Sequence, residues 1–115
     1  MKLNLIVIRT ENPEVLKSQY ELLGLRFDYH RHENGPYHYA AESEGLVFEI
    51  YPLSKSMKKA DGSLRLGFDI DNLEKVIAVV RSSNWLISTE VRETPWGRVA
   101  VIQDMDGRKV ELRSV

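Results

Sequence analysis

Glu111 stands between Val110 and Leu112 in a run, Lys109 to Arg113, whose β-branched and apolar residues predict a strand. Successive side chains of a strand point to opposite faces, so Val110 and Leu112 packed against a helix would turn Glu111 the other way. A carboxylate aimed from a strand centre into a concavity is a candidate ligand-binding group, whereas on an open sheet it is simply wet. His30, His32 and His38 are the only histidines, and all fall between Phe27 and Ala41. His30 and His32 lie two residues apart, on one face of an extended chain, a spacing compatible with metal binding. The plainer expectation, and the favoured one, is an exposed polar edge whose histidines are solvated. His38 alternates with Tyr37 and Tyr39, so its ring could line a cavity. Imidazole is the side chain best placed to act as a general base near neutral pH.

The elements that must position these residues recur in one order. Leu3 to Ile8 is a compact apolar run that predicts a strand. Asn12-Pro13-Glu14 predicts a helix start, with Asn12 as the cap, Pro13 in the first turn and Glu14 favoured by the helix dipole. Val15, Leu16, Gln19, Tyr20 and Leu23 follow at helical spacing, and Gly24 ends the helix. Leu25 to Tyr29, Tyr37 to Ala41 and Leu46 to Tyr51 predict three more strands, separated by Asn34-Gly35-Pro36 and Ser43-Glu44-Gly45. Pro52 to Ser63 is polar and aperiodic, which suits a connector. Leu64 to Ile70 restarts the pattern as a strand, Asp71-Asn72 caps a helix striped by Leu73, Val76, Ile77 and Val80, and Trp85 to Ser88 or Glu90 predicts a further strand. Thr94-Pro95-Trp96-Gly97 is a turn, Val99 to Gln103 a strand, and Asp106-Gly107 a tight turn into the strand of Glu111. Each half reads strand, helix, three strands, and two halves that cannot bury their apolar faces alone are expected to pack as one domain over 1–115. Module one covers about 1–53, the linker about 54–63 and module two about 64–115.

Composition narrows the function classes. A formal net charge of -1 over 115 residues provides no basic field to attract nucleic acid or an anionic membrane. The absence of cysteine excludes disulfides, thiolate catalysis and thiolate metal sites. Met1-Lys2-Leu3-Asn4 lacks a signal peptide's apolar run and no stretch approaches a membrane span, so a cytoplasmic protein is expected. No phosphate-binding glycine loop, nucleophile elbow or Walker-type lysine is present.

The closing stretch, from Thr94-Pro95-Trp96-Gly97-Arg98 through Asp104-Met105-Asp106-Gly107 to Val110-Glu111-Leu112, resembles the end of vicinal oxygen chelate proteins. That superfamily includes glyoxalase I, the bleomycin-resistance proteins, the fosfomycin-resistance enzymes and the extradiol dioxygenases. Its usual form is a Pro-Trp-Gly turn, a strand, Asp-Pro-Asp-Gly, two residues, then an apolar residue, Glu and Leu. Met105 departs from this by standing where the family usually has Pro. The segment from Pro13-Glu14 through Tyr20 to Leu23-Gly24-Leu25 resembles the family in the first half. The resemblance covers nearly the whole chain. It implies an α+β fold of two βαβββ modules, their strands forming a curved eight-stranded mixed sheet, a cup with helices outside and a ligand cavity within. It also implies a homodimer, the common state of small members.

In members that use a metal, ligands come from the first and last strands of each module. Carried over, the last-strand positions are Glu49, in Val47-Phe48-Glu49-Ile50-Tyr51, and Glu111, and both match the family's carboxylate. The first-strand positions fall on Leu5, which has no donor atom, and Arg65, which stays cationic. A slip of one residue, to Asn4 or Leu66, would turn the side chain to the wrong face. A catalytic divalent ion needs about three protein ligands. No metal is therefore expected, and Glu49 and Glu111 are its ligands if one binds. Two carboxylates with Arg65 suit a satisfied ion cluster or a polar organic ligand. Tyr51, in phase with Glu49, would add an aromatic wall, and Arg9 and His38 complete the expected ligand-binding set together with Trp96. Trp96 would sit at the cavity mouth, at a dimer seam or, more plainly, at a packed corner of the core. Glu111, Glu49 and His38 are the candidates for any catalytic role. Gly67 in mid-strand makes room for a ligand or for a neighbouring backbone. Phe48, Ile50, Leu66, Phe68, Ile70, Val110 and Leu112 are in the opposite phase and belong to the core.

Three functions compete. The favoured one is a metal-independent small-molecule-binding protein of the bleomycin-resistance type, holding a polar or aromatic organic ligand in the cup or dimer groove. The second is a lyase, isomerase or dioxygenase of the glyoxalase type, with Ni, Zn, Fe or Mn held by Glu49, Glu111 and a third group such as His38. The third is a non-catalytic interaction module whose cup is filled by its own side chains.

Overall fold

The computed structural model describes all 115 residues. The elements are β1 (Leu5–Thr10), α1 (Pro13–Glu21), β2 (Asp28–His30), β3 (His38–Ser43), β4 (Leu46–Pro52), β5 (Leu66–Ile70), α2 (Leu73–Arg81), β6 (Leu86–Thr94), β7 (Gly97–Gln103) and β8 (Lys109–Ser114). The repeat of strand, helix and three strands is thus present twice. The chain divides into two compact modules, Met1–Asp61 and Gly62–Val115. The strands are hydrogen-bonded as two four-stranded mixed sheets, in the orders β1-β4-β3-β2 and β5-β8-β7-β6. In each, the first strand runs parallel to the last and the other pairs are antiparallel. No helix is long and apolar enough to cross a membrane.

Helix starts follow the capping residues. The Asn12 side chain accepts from the Val15 amide at 3.2 Å and the Asn72 side chain from the Lys75 amide at 3.2 Å, each satisfying a donor the helix cannot. α1 stops at Glu21, short of the Gly24 expected to end it, and the amides of Leu22, Leu23 and Gly24 bond three residues back in a tightened last turn. Leu16 and Tyr20 bury completely, with the Tyr20 ring 5.2 Å from Phe48. In the second module Leu73, Ile77 and Val80 of α2 supply the buried stripe. Phe48, Ile50, Ile70, Val110 and Leu112 are buried, as strand phase demands, while Leu66 and Phe68 are half-buried.

Two strands differ from the sequence reading. β2 begins at Asp28 rather than Leu25, and the Phe27 ring just ahead of it meets Phe48 edge-on at 6.2 Å. β6 runs on to Thr94, with irregular register between Ile87 and Arg92.

The turns differ too. β3 and β4 join through Glu44 and Gly45, both at positive φ (51° and 85°), the form that matches a hairpin's twist. β7 and β8 join through an ion pair. Asp104 Oδ1 accepts from the amides of Asp106 (2.8 Å) and Arg108 (3.1 Å), while Arg108 Nη1 donates to Asp104 Oδ2 (3.1 Å) and Asp106 Oδ2 (2.9 Å). The Asp104 and Arg108 side chains are buried. The sequence reading placed this turn on Asp106-Gly107 and overlooked Arg108.

Each helix covers one face of its own sheet. The residues in the other phase, Glu49 and Tyr51 in the first module and Glu111 and Arg113 in the second, are those with chemistry to offer.

Candidate functional site

On the face of the first sheet away from α1, register sets four side chains in a row. Arg9 lies opposite Tyr51 and His30 opposite His38. The Tyr51 and His38 rings stack 4.1 Å apart, 9° from parallel. The Arg9 guanidinium sits 4.8 Å from the Tyr51 centroid and donates to the Pro52 carbonyl at 3.0 Å. One rung along, Glu49 lies opposite Val7 on one side and Ala40 on the other. Burial pushes the Tyr51 phenol pKa up, the Glu49 charge adds to the rise and Arg9 opposes it.

The turn after β2 completes this group. Glu33 takes a positive φ of 52°, and the Gly35 amide donates to the His32 carbonyl at 2.9 Å. The His32 ring lies 5.1 Å from both His30 and His38, and His30 lies 4.5 Å from His38. One ligand atom from each of His30, His32, His38 and Glu49 lies within 4.8 Å of the others. The edge is exposed over 31–34 as expected, but its histidines are not all solvated: His38 is fully buried, His30 half-buried, and only His32 exposed.

His38 has a defined tautomer. Its Nδ1 lies 3.2 Å from the Pro36 carbonyl, which can only accept, so Nδ1 carries the hydrogen. In the neutral ring Nε2 is then a bare lone pair. It lies 3.2 Å from Glu49 Oε2, close enough for an ion pair, yet it is buried with no hydrogen-bond partner. Proximity and hydrogen bonding part company here because the carboxylate lies off the line along which a ring N–H would donate. Glu49 itself is 8% exposed.

The second module has a different site. A cavity of about 340 Å³ is lined by Arg92, Thr94, Trp96, Val99, Glu111 and Arg113. Thr94 Oγ1 accepts from the Trp96 amide (3.1 Å) and donates to the Gly97 carbonyl (2.7 Å), and Gly97 takes φ +113°. This turn holds the indole outward at 75% exposure, which rules out the packed corner. Arg113 Nε and Nη2 donate to Asp69 at 2.8 and 3.2 Å. Asp69, and more weakly Glu111, raises the pKa of that guanidinium. A Cβ on Gly67 would meet only the Glu111 carbonyl oxygen, at 3.9 Å, so no close backbone explains this glycine.

Of the residues singled out from sequence, Arg9, His38, Glu49 and Tyr51 come together in the first module. Glu111 and Trp96 line one cavity in the second. Arg65 lies in an exposed segment ahead of β5, and the guanidinium beside Glu111 belongs to Arg113. His38 and Glu49 stand with His30 and His32 rather than only with a second carboxylate. Arg92 and Arg113 were missed, as was the grouping of all three histidines with Glu49. The available signal was three histidines astride the Asn34-Gly35-Pro36 turn.

No family model matches the sequence, and no curated protein matches it. Solved structures do match. A glyoxalase family protein from Bacillus cereus superposes with a TM-score of 0.82 at 14% identity, over 99% of this chain and 93% of that one. A glyoxalase/bleomycin resistance protein/dioxygenase family enzyme from Burkholderia phytofirmans gives 0.77 at 15%, over 100% and 99%. TnmS3, an antibiotic binding protein from a Streptomyces species, gives 0.76 at 21%, over 99% and 95%. At these identities the likeness is one of fold.

Proposed function

We propose that this chain, which has the fold of the vicinal oxygen chelate superfamily, binds a small planar organic molecule bearing an anionic group in the cavity of its second module. The observation that carries this reading is Trp96, held 75% exposed at the edge of a cavity of about 340 Å³ beside two arginines. An indole fixed in water by its own turn is a stacking platform that gains from being covered. Arg113 Nη1 takes no part in the contacts with Asp69, which leaves a donor for a carboxylate or phosphate. Glu111 adds an acceptor for a ligand hydroxyl or amine and disfavours a second negative charge nearby. Support also comes from the antibiotic binding protein that shares the fold.

Tryptophan emission provides the test, because Trp85 is 3% exposed and Trp96 is the solvent-facing indole. Titration with a panel of aromatic carboxylates is expected to quench Trp96. Trp96→Ala should weaken binding at least about tenfold, or about 1.4 kcal/mol. Arg113→Met should weaken acids but not their neutral amides. Unchanged affinity in Trp96→Ala, or no panel member binding below about 1 mM, would end the reading.

A further inference from the structure

We propose that His30, His32, His38 and Glu49 form a binding site for one late first-row divalent metal ion, built from the first module alone. Two independent observations carry it. The first is convergence: one donor atom from each of four side chains lies within 4.8 Å of the rest. Ligands at about 2.1 Å from a common ion stand about 3.0–3.4 Å apart when adjacent and about 4.2 Å when opposite. The 3.2 Å between His38 Nε2 and Glu49 Oε2 already fits adjacent ligands. Closing a 4.8 Å span requires a shift of about 0.6 Å for opposite ligands and about 1.4 Å for adjacent ones, which the exposed His32 side chain can supply by rotation.

The second observation is the His38 ring, fully buried, with a bare Nε2 that has no hydrogen-bond partner and faces a buried carboxylate. A bare lone pair and an anion 3.2 Å apart out of water is an unfavourable arrangement that a cation held by both reverses. The opposite nitrogen is already positioned for this role. Nδ1 donates to the Pro36 carbonyl, the outer contact that fixes the tautomer and orientation of a metal-ligating histidine. Tyr51 stacked on the same ring holds its plane.

Three imidazoles and one carboxylate select for Ni, Zn, Co, Cu or Fe over Mg and Ca, which prefer oxygen. A four-ligand set of this kind leaves coordination positions open on a six-coordinate ion. The resemblance to vicinal oxygen chelate proteins places ligands on the first and last strands of both modules, and of those positions this cluster uses only Glu49. The expectation that no metal binds rested on Leu5 and Arg65, and neither belongs to the cluster. The inference stands apart from ligand binding at Trp96.

The test uses the untagged full chain, stripped with a chelator and titrated with Ni²⁺ or Zn²⁺ by calorimetry, with Co²⁺ absorption as a second readout. One ion per chain is expected, with a Kd below about 10 μM. His32→Ala, an exposed position, should preserve the fold by circular dichroism and weaken binding at least about tenfold. Glu49→Gln should do the same, while Glu111→Gln should leave affinity unchanged. X-ray absorption of the Zn²⁺ or Ni²⁺ protein should show imidazole scattering. Binding no tighter than about 1 mM would overturn the site, as would parent-like affinity in His32→Ala and Glu49→Gln, or one ion per two chains.

Discussion

Glu49 and Glu111 occupy equivalent positions on the last strand of their modules, opposite Val7 and Gly67 of the first strands, and the two folds around them diverge from there. Glu49 is 8% exposed beside a buried imidazole, whereas Glu111 is exposed and acts on Arg113. The next rung repeats the contrast. Across the first sheet it runs Arg9, Tyr51, His38, His30, a guanidinium over a ring followed by stacked rings. Across the second it runs Asp69, Arg113, Val99, Arg92, an ion pair followed by an apolar gap. A repeated backbone therefore repeats strand phase but not chemistry. The cross-strand neighbour decides whether a carboxylate is a candidate ligand for a metal or a polar wall for an organic molecule.

The largest difference between the modules is expected at their closing turns. Asp104 is buried against Arg108, so Asp104→Ala removes one of the two carboxylates on a buried guanidinium together with the acceptor of two backbone amides. Breaking such a pair from one side costs about 3–5 kcal/mol. In a domain of this size that lowers Tm by roughly 10 °C or more. The first module's turn needs no such pair. Glu44→Asn there, at φ 51°, should change stability by no more than about 0.5 kcal/mol. Thermal unfolding of both variants checks the ordering, and equal Tm values would mean that Arg108 reaches water when its partner is removed.

Next in size is the contrast between the two glutamates. In the metal-free chain, Glu49→Gln removes the buried negative charge that lies 3.2 Å from the bare His38 Nε2. Relieving that contact between a lone pair and an anion should stabilise the protein by about 1 kcal/mol. Glu111→Gln, at an exposed position, should fall within about 0.5 kcal/mol of the parent. Saturating Ni²⁺ or Zn²⁺ should then invert the first result, stabilising the parent more than Glu49→Gln. A metal-free loss of stability in Glu49→Gln would show that the carboxylate is already satisfied and that the two modules are more alike than their surroundings indicate.

Much of this frame was legible from residue order. Asn12-Pro13-Glu14 marked a helix start because capping chemistry is local. Alternation placed Phe48, Ile50, Val110 and Leu112 inside because a strand's phase follows from any one buried residue. The histidine group was not legible for a physical reason. His30 sits in a strand of three residues and His32 in the turn after it, where no periodicity reports direction. Their meeting depends on Glu33 at positive φ and on the exact pairing of His30 with His38, and both are set by the fold rather than by composition. Arg65 failed differently. Its phase matched Gly67 and Asp69, but β5 starts one residue later, and Arg113 on the adjacent strand stands beside Glu111 instead. The buried Arg108 lay next to the Asp-Gly signal, and a charged residue carries no sequence mark that it will be buried.

The smallest effect concerns the first-strand residues that oppose the glutamates. Val7 has a side chain at this position and Gly67 does not, so the second module carries an unfilled place beside Glu111. Only the Glu111 carbonyl oxygen, at 3.9 Å, would touch an added methyl, which is ordinary van der Waals contact. The backbone of Gly67 is not among the positive-φ glycines, so alanine enters without strain. Gly67→Ala should therefore stabilise the chain by about 0.5–1 kcal/mol, chiefly by restricting the unfolded state. Urea unfolding should show a higher midpoint at unchanged slope. Gly67→Leu would extend into the same space and separate two roles for the glycine. If it keeps the stability gain but weakens aromatic-acid binding at Trp96, the vacancy belongs to the ligand. If Gly67→Ala is already destabilising, this face is packed more closely than 3.9 Å, and the difference between Val7 and Gly67 is one of packing rather than of recognition.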